Sequence, residues 1–151
     1  MSDFNHILMV CAGNLCRSPM AEYLLQSKWE RGTGDTESNV TSAGIIANNG
    51  RVIDPVTRDV LHAKGIDAGN HWARRLDVQN LSRADLVLVM EQYQLRFIHE
   101  SYPHMRGRVK LLTEWLGGHD IDDPYGKPRE NYEQAFHVIE RATESWLPYL
   151  D

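Results

Sequence analysis

The longest apolar run in the chain, Ile7-Leu8-Met9-Val10-Cys11-Ala12, breaks into Gly13-Asn14 and is followed within seven residues by Ser18-Pro19. An unbroken apolar stretch of this length reads as a strand buried on both faces. Proline is favoured at the first helical position and serine just before it, so Ser18 is expected as an N-cap with Pro19 opening a helix. A doubly buried strand delivered straight into a helix belongs to a sheet covered by helices. The run is far too short to cross a bilayer and no basic leader precedes it, so neither direct membrane insertion nor a secretory signal is expected. The expected compartment is the cytoplasm.

The rest of the chain repeats the alternation. Further strand-like runs stand at 39–42, 86–90 and 109–112, the run at 86–90 again almost wholly apolar. Between them, Ala21, Leu24, Leu25 and Trp29 recur at helical spacing, and Asp54-Pro55 opens a helix that Gly65 should stop. Glu91–His99 reads as helical. A last helix is expected from Asn131, with Gln134 completing a capping box, until Pro148 ends it. Residues 31–38 read as a polar loop, not a domain boundary. At 151 residues the expectation is one domain over 1–151, an open four-stranded parallel α/β sheet with helices on both faces, Rossmann-like in class. Such sheets bind ligands beyond the carboxyl ends of their strands, which is where the Cys11 loop falls.

That loop has the makings of an anion cradle. A tight turn into a helix N-terminus points successive backbone N–H groups at one spot and adds the positive end of the helix. Gly13 permits positive φ, and Asn14 tolerates it better than most residues. Arg17 closes the ring with a planar fork suited to phosphate, and the same surroundings favour a nucleophilic thiolate at Cys11. The Ser18 hydroxyl can accept from one group and donate to the sulfur. Taken singly, Cys11 reads as a small core residue, Arg17 as a surface cation and Ser18-Pro19 as a helix start. Their spacing between a buried strand and a helix is what selects the cradle.

Composition narrows the alternatives. The net charge is −5 with no basic block, so nucleic acid is not an expected partner, and phosphate must be bound by a local site. Cys11 and Cys16 are the sole cysteines, and a disulfide closing so short a loop would staple the domain poorly. No histidine stands at ligand spacing from them, so no metal and no cofactor is expected.

At these residues the chain resembles the low-molecular-weight protein tyrosine phosphatases. The family signature Val-Cys-x-Gly-Asn-x-Cys-Arg-Ser stands unbroken from Val10 to Ser18. The resemblance continues through Pro19-Met20-Ala21-Glu22, Ser42-Ala43-Gly44, His71-x-Ala73-Arg74, Met90-Glu91 and Asp123-Pro124-Tyr125. It implies the phosphotyrosine phosphatase I type of fold. Met105-Arg106-Gly107 and the segment 123–129 are similar to the bacterial subgroup associated with exopolysaccharide or capsule synthesis.

The resemblance implies roles. Cys11 is the expected nucleophile, Arg17 the phosphate clamp and Asp123 the general acid. Ala12, Gly13, Asn14, Leu15, Cys16 and Ser18 line the phosphate cradle, and Tyr125 walls the substrate ring. Asn14, Ser18, Ser42 and His71 support the loop, and Cys16 traps oxidised Cys11 as a disulfide. The residue chemistry alone leaves Asp120, Asp122 and Asp123 open as the acid; the Asp-Pro-Tyr match selects Asp123. The expected substrate is a phosphotyrosine protein, by analogy a membrane-bound bacterial tyrosine kinase, with inorganic phosphate as product. Two departures stand out: Gly126 follows Tyr125 where many relatives have a second tyrosine, and Ile46-Ala47-Asn48-Asn49 offers no aromatic at the cleft mouth. Arsenate reductases of this fold need further redox cysteines that the chain lacks, and arginine phosphatases carry a small threonine where Leu15 stands. A phosphocysteine carrier would need neither Arg17 nor Asp123.

Overall fold

The computed structural model describes residues 4–33 and 39–150, with side chains from 30 to 33 left aside. Four parallel strands, β1 (His6–Cys11), β2 (Asn39–Gly44), β3 (Leu86–Val89) and β4 (Val109–Leu111), form one sheet in the order β2-β1-β3-β4. The helices are α1 (Arg17–Thr33), α2 (Pro55–Ala63), α3 (Val78–Ser82), α4 (Gln92–Ser101) and α5 (Arg129–Leu150), with short 3-10 turns at Pro103–Arg108 and Glu114–Leu116. The expected four-stranded parallel sheet with helices on both faces is the architecture observed.

Strand alternation splits the core in two. Ile7, Met9, Cys11, Leu86 and Leu88 pack with Leu24, Leu25, Trp29, Phe136 and Trp146 of α1 and α5. Leu8, Val10, Val87, Val89 and Val109 pack on the other face with Leu81 of α3 and Ile98 of α4. From the central pair, β1 leads on to the edge strand β2 while β3 leads to β4 on the opposite edge. Their carboxyl ends therefore border the crevice where the connections diverge.

Several boundaries differ from the sequence reading. α1 begins at Arg17, so Ser18 lies within its first turn and is not the cap. Residues 31–33 belong to α1, and 34–38 lie outside the described residues. α5 starts at Arg129, before Asn131, and runs through Pro148 to Leu150. A proline inside a helix loses a hydrogen bond and crowds the preceding turn, at about 3 kcal/mol. Trp146 and Leu150 on either side of it are buried, and their combined burial, each worth about 1.5–3 kcal/mol, offsets that cost. Short α3 has too little periodicity to be read from sequence; Asp77 caps it in a capping box with Asn80.

β2 ends level with the Cys11 loop, Gly44 pairing with Cys11. A Cβ on Gly44 would stand 2.5 Å from the Ala12 carbonyl oxygen and 2.8 Å from the Asn14 nitrogen. Both are backbone atoms, so either the strand or the loop would have to move. Gly44→Ala is expected to destabilise the protein by about 1–3 kcal/mol. At Gly107 an added Cβ meets nothing within 4 Å, so Gly107→Ala serves as control. Thermal denaturation checks the pair; equal melting temperatures would refute the close approach.

Candidate active site

Cys11 ends β1, and the chain turns back on itself through Asn14 before α1 begins. Asn14 is the sole non-glycine residue with positive φ among the described residues, at 58°; Gly13, expected to share that role, does not adopt it. Asn14 is wholly buried and every polar group it carries is engaged. Its N–H donates to Cys11 Sγ at 3.3 Å, and its Oδ1 accepts from the Arg74 N–H at 2.9 Å. Its Nδ2 donates to Ser18 Oγ and Ser42 Oγ, both at 2.8 Å. His71 Nε2 donates to its carbonyl at 2.8 Å. Ser18 Oγ accepts from Asn14 and stands 2.9 Å from Cys11 Sγ, within reach for its hydroxyl to donate to the sulfur. The expected supports Asn14, Ser18, Ser42 and His71 are thus brought together behind the sulfur.

Arg17 is buried, and its guanidinium is held at one end. Nη1 donates to Glu91 Oε2 and to the Ile121 carbonyl, each at 2.7 Å. Burial works against its charge, but Cys11, Glu91 and Asp123 outweigh that and raise its pKa above the usual value. Nη2 lies 3.7 Å from Asp123 Oδ2, and Nε is buried with no partner in the protein. Glu91 is held in turn: Gln94 Oε1 accepts from the Met90 and Glu91 N–H groups, forming a cap on α4. The sequence reading gives Glu91 no role, although it lies in a matched segment. Its contact with Arg17 spans 74 residues and leaves no local pattern.

These groups line a cleft of about 270 Å³ bounded by Cys11, Ala12, Gly13, Leu15, Cys16, Arg17, Ile46, Ala47, Asn48, Arg51, Asp123 and Tyr125. The structure separates the clustered carboxylates. Asp120 Oδ1 accepts from the Gln92 N–H at 2.7 Å and so secures the start of α4. Asp122 lines a different cavity, about 370 Å³, between the 113–124 segment and α5. Asp123 faces both cavities and is the one carboxylate of the three lining the Cys11 cleft. Its Oδ1 accepts from the Tyr125 N–H at 3.1 Å, which ties the two residues into one turn. Larger volume does not make the second cavity the reactive one, since it contains neither the thiol nor Arg17. The cleft mouth at 46–48 carries no aromatic, as the sequence suggests.

Behind the loop lies a second missed acid, Glu22. It accepts from the Ser42 hydroxyl and stands 3.8 Å from His71 Nδ1. Burial pushes its carboxyl up to about 6, against the Ser42 hydrogen bond and the charge of Arg74. Burial likewise pushes His71 down, opposed by its bond to the Asn14 carbonyl. Cys16 is buried too; desolvation raises its thiol to about 12, with the Thr57 hydroxyl opposing. Cys11 and Cys16 are both free thiols.

Over residues 6–151 the chain matches the family described as low molecular weight phosphotyrosine protein phosphatase. The low molecular weight protein-tyrosine-phosphatase Wzb of Salmonella typhimurium is 36% identical over 148 residues, covering 98% of this chain and 95% of the relative. Wzb of Vibrio vulnificus, solved in complex with benzylphosphonate, has a TM-score of 0.89 at 34% identity and covers 97% of this chain and 99% of its own. The YwlE arginine phosphatase of Geobacillus stearothermophilus gives 0.87 at 33% identity, covering 97% and 92%. A match of this length, centred on a fold whose crevice holds a thiol beside a buried arginine, establishes that the chain belongs to the low-molecular-weight phosphotyrosine protein phosphatase family.

Proposed function

We propose that the chain hydrolyses phosphotyrosine in a protein substrate through a phosphocysteine at Cys11. The observation that carries this reading is Arg17: one end of its guanidinium is locked by Glu91 and Ile121, while the buried Nε lacks a partner. A buried donor left unmade costs about 1–3 kcal/mol, which a phosphoryl oxygen in the cleft would recover. The N–H groups of the first turn of α1 have no intrahelical acceptors and add to the cradle.

In the first step the Cys11 sulfur forms a bond to phosphorus as the bond to the phenolic oxygen breaks, and Asp123 gives that oxygen its proton. Arg17 and the N–H groups of the cradle balance the charge on the equatorial oxygens. Asp123, now a carboxylate, takes a proton from water, which displaces the sulfur and releases inorganic phosphate. Ala12, Gly13, Asn14, Leu15, Cys16 and Ser18 form the cradle; Tyr125 and Leu15 offer apolar surface to the ring. Leu15 is the feature that favours a phenyl ring over the guanidinium of phosphoarginine, the substrate class of the YwlE relatives. The resemblance to the exopolysaccharide subgroup supports a cytoplasmic enzyme acting on a membrane-bound tyrosine kinase.

Cys16 supports a redox role. Oxidation of the Cys11 thiolate by hydrogen peroxide gives a sulfenic acid, which Cys16 displaces as water to form a disulfide.

Cys11→Ser is expected to lower turnover on the order of 10⁴-fold or more while orthovanadate still binds, by calorimetry; substantial residual turnover would sink the nucleophile assignment. Asp123→Asn should cost about 10²–10⁴-fold on phosphotyrosine and far less on aryl phosphates with acidic leaving groups. A loss independent of leaving group in that kinetic series would argue against a general acid. Steady-state rates on phosphotyrosine and phosphoarginine test the substrate class directly. After peroxide treatment long enough to carry an unprotected sulfenic acid on to the sulfinic acid, dithiothreitol should restore wild-type activity and fail to restore Cys16→Ser; equal recovery would remove Cys16 from the redox role.

A further inference from the structure

Arg51 stands at the mouth of the cleft, exposed and with no carboxylate in ion-pair range among the described residues. It lines the cleft with Asp123 and Tyr125 yet forms no ion pair among the described residues. Its polar partner is neutral: Nη2 donates to the Tyr125 hydroxyl at 3.1 Å. By contrast, the other cleft arginine, Arg17, is paired with Glu91 at 2.7 Å. The exposed positive charge at the mouth is therefore that of Arg51.

Its mounting is firm. The Ala73 N–H donates to the Arg51 carbonyl at 2.8 Å, and the Gly50 N–H donates to the Ala73 carbonyl at 2.9 Å. Val52 and Trp72 continue this as an antiparallel bridge, and Asn49 Oδ1 accepts from the Arg75 N–H at 2.7 Å. The segment that holds these bonds is the one anchored to Asn14 through His71 and Arg74. Arg51 is thus fixed relative to the bottom of the cleft, and its side chain reaches across the opening to the opposite wall.

We infer that Arg51 is a specificity-determining residue that selects phosphotyrosines flanked by a carboxylate side chain. The inference rests on the phosphotyrosine reading above. A phosphotyrosine seated on the loop passes its peptide backbone over the mouth, where a neighbouring Asp or Glu meets the Arg51 guanidinium. The whole protein carries −5 and repels acidic peptides at long range, so any preference for them must come from a local cation.

The test compares kcat/KM for phosphotyrosine peptides carrying Asp or Asn beside the phosphotyrosine. Wild type should favour Asp by about 1.5- to fivefold at low salt, the range of an exposed ion pair, and the ratio should shrink as ionic strength rises. Arg51→Gln should bring the ratio close to unity, and Arg51→Lys should keep part of it. The readout is a ratio, so loss of overall activity in a variant does not obscure it. Equal rates on the two peptides in wild type, or an unchanged ratio in Arg51→Gln, would overturn the inference while leaving the phosphatase reading intact. Hydrolysis of phosphoarginine with no turnover of either peptide would overturn both.

Discussion

Asn14 holds φ at 58° with its side chain fully buried, and the rest of the site is arranged around that conformation. Left-handed backbone costs about 1–2 kcal/mol for a residue with a Cβ. Against it stand the bonds to Cys11, Arg74, Ser18, Ser42 and His71, each worth about 0.5–1.5 kcal/mol net in an intact network. The network also has a direction. An amide nitrogen can only donate, so both serine hydroxyls accept from Asn14; Ser42 donates to Glu22, and Ser18 shares a 2.9 Å hydrogen bond with the sulfur. A continuous chain of hydrogen bonds thus joins Glu22, Ser42, Asn14, Ser18 and Cys11.

Arg17 raises the opposite problem: a charge deep in the protein with one edge left unpaired. Glu91 and the Ile121 carbonyl satisfy Nη1, which offsets part of the desolvation cost and fixes the plane of the guanidinium. With one end tied, the fork cannot swing toward solvent to find water. An acidic protein can in this way hold a cation at a cleft without a basic surface, because its field is confined to a few ångströms.

The strand-to-helix passage from Ile7 to Pro19 was legible because burial, turn chemistry and helix initiation coincide within a short stretch of chain. The strands were legible for the same reason, to within a residue or two. Where the sequence reading slipped, a tertiary contact decided: buried Leu150 carries α5 past Pro148, and Asn14, not Gly13, takes positive φ because its side chain is fully bonded. Glu22, Gly44 and Glu91 lie in segments matched to the family, yet their work depends on partners distant in sequence. Glu91 meets Arg17, Glu22 meets Ser42, and Gly44 clears the path of Ala12 and Asn14. Among Asp120, Asp122 and Asp123, residue type carries no information; the Asp-Pro-Tyr match singles out Asp123, and in the folded segment it is the one of the three that lines the Cys11 cleft.

That segment also links groups whose roles are usually considered apart. Within a few residues, Asp120 secures the start of α4, the Ile121 carbonyl grips Arg17, and Asp123 faces the cleft. The Ile121 N–H in turn bonds the Met90 carbonyl, next to Glu91, and the Thr113 hydroxyl holds the His119 carbonyl at 2.6 Å. The carboxyl end of β3, the arginine and the acid are thus tied to one stretch of backbone. Displacing it would move Arg17 and Asp123 together, so substitutions along it should not act independently. A shared backbone is how the fold keeps Arg17 and Asp123 in register with each other beside the Cys11 cleft.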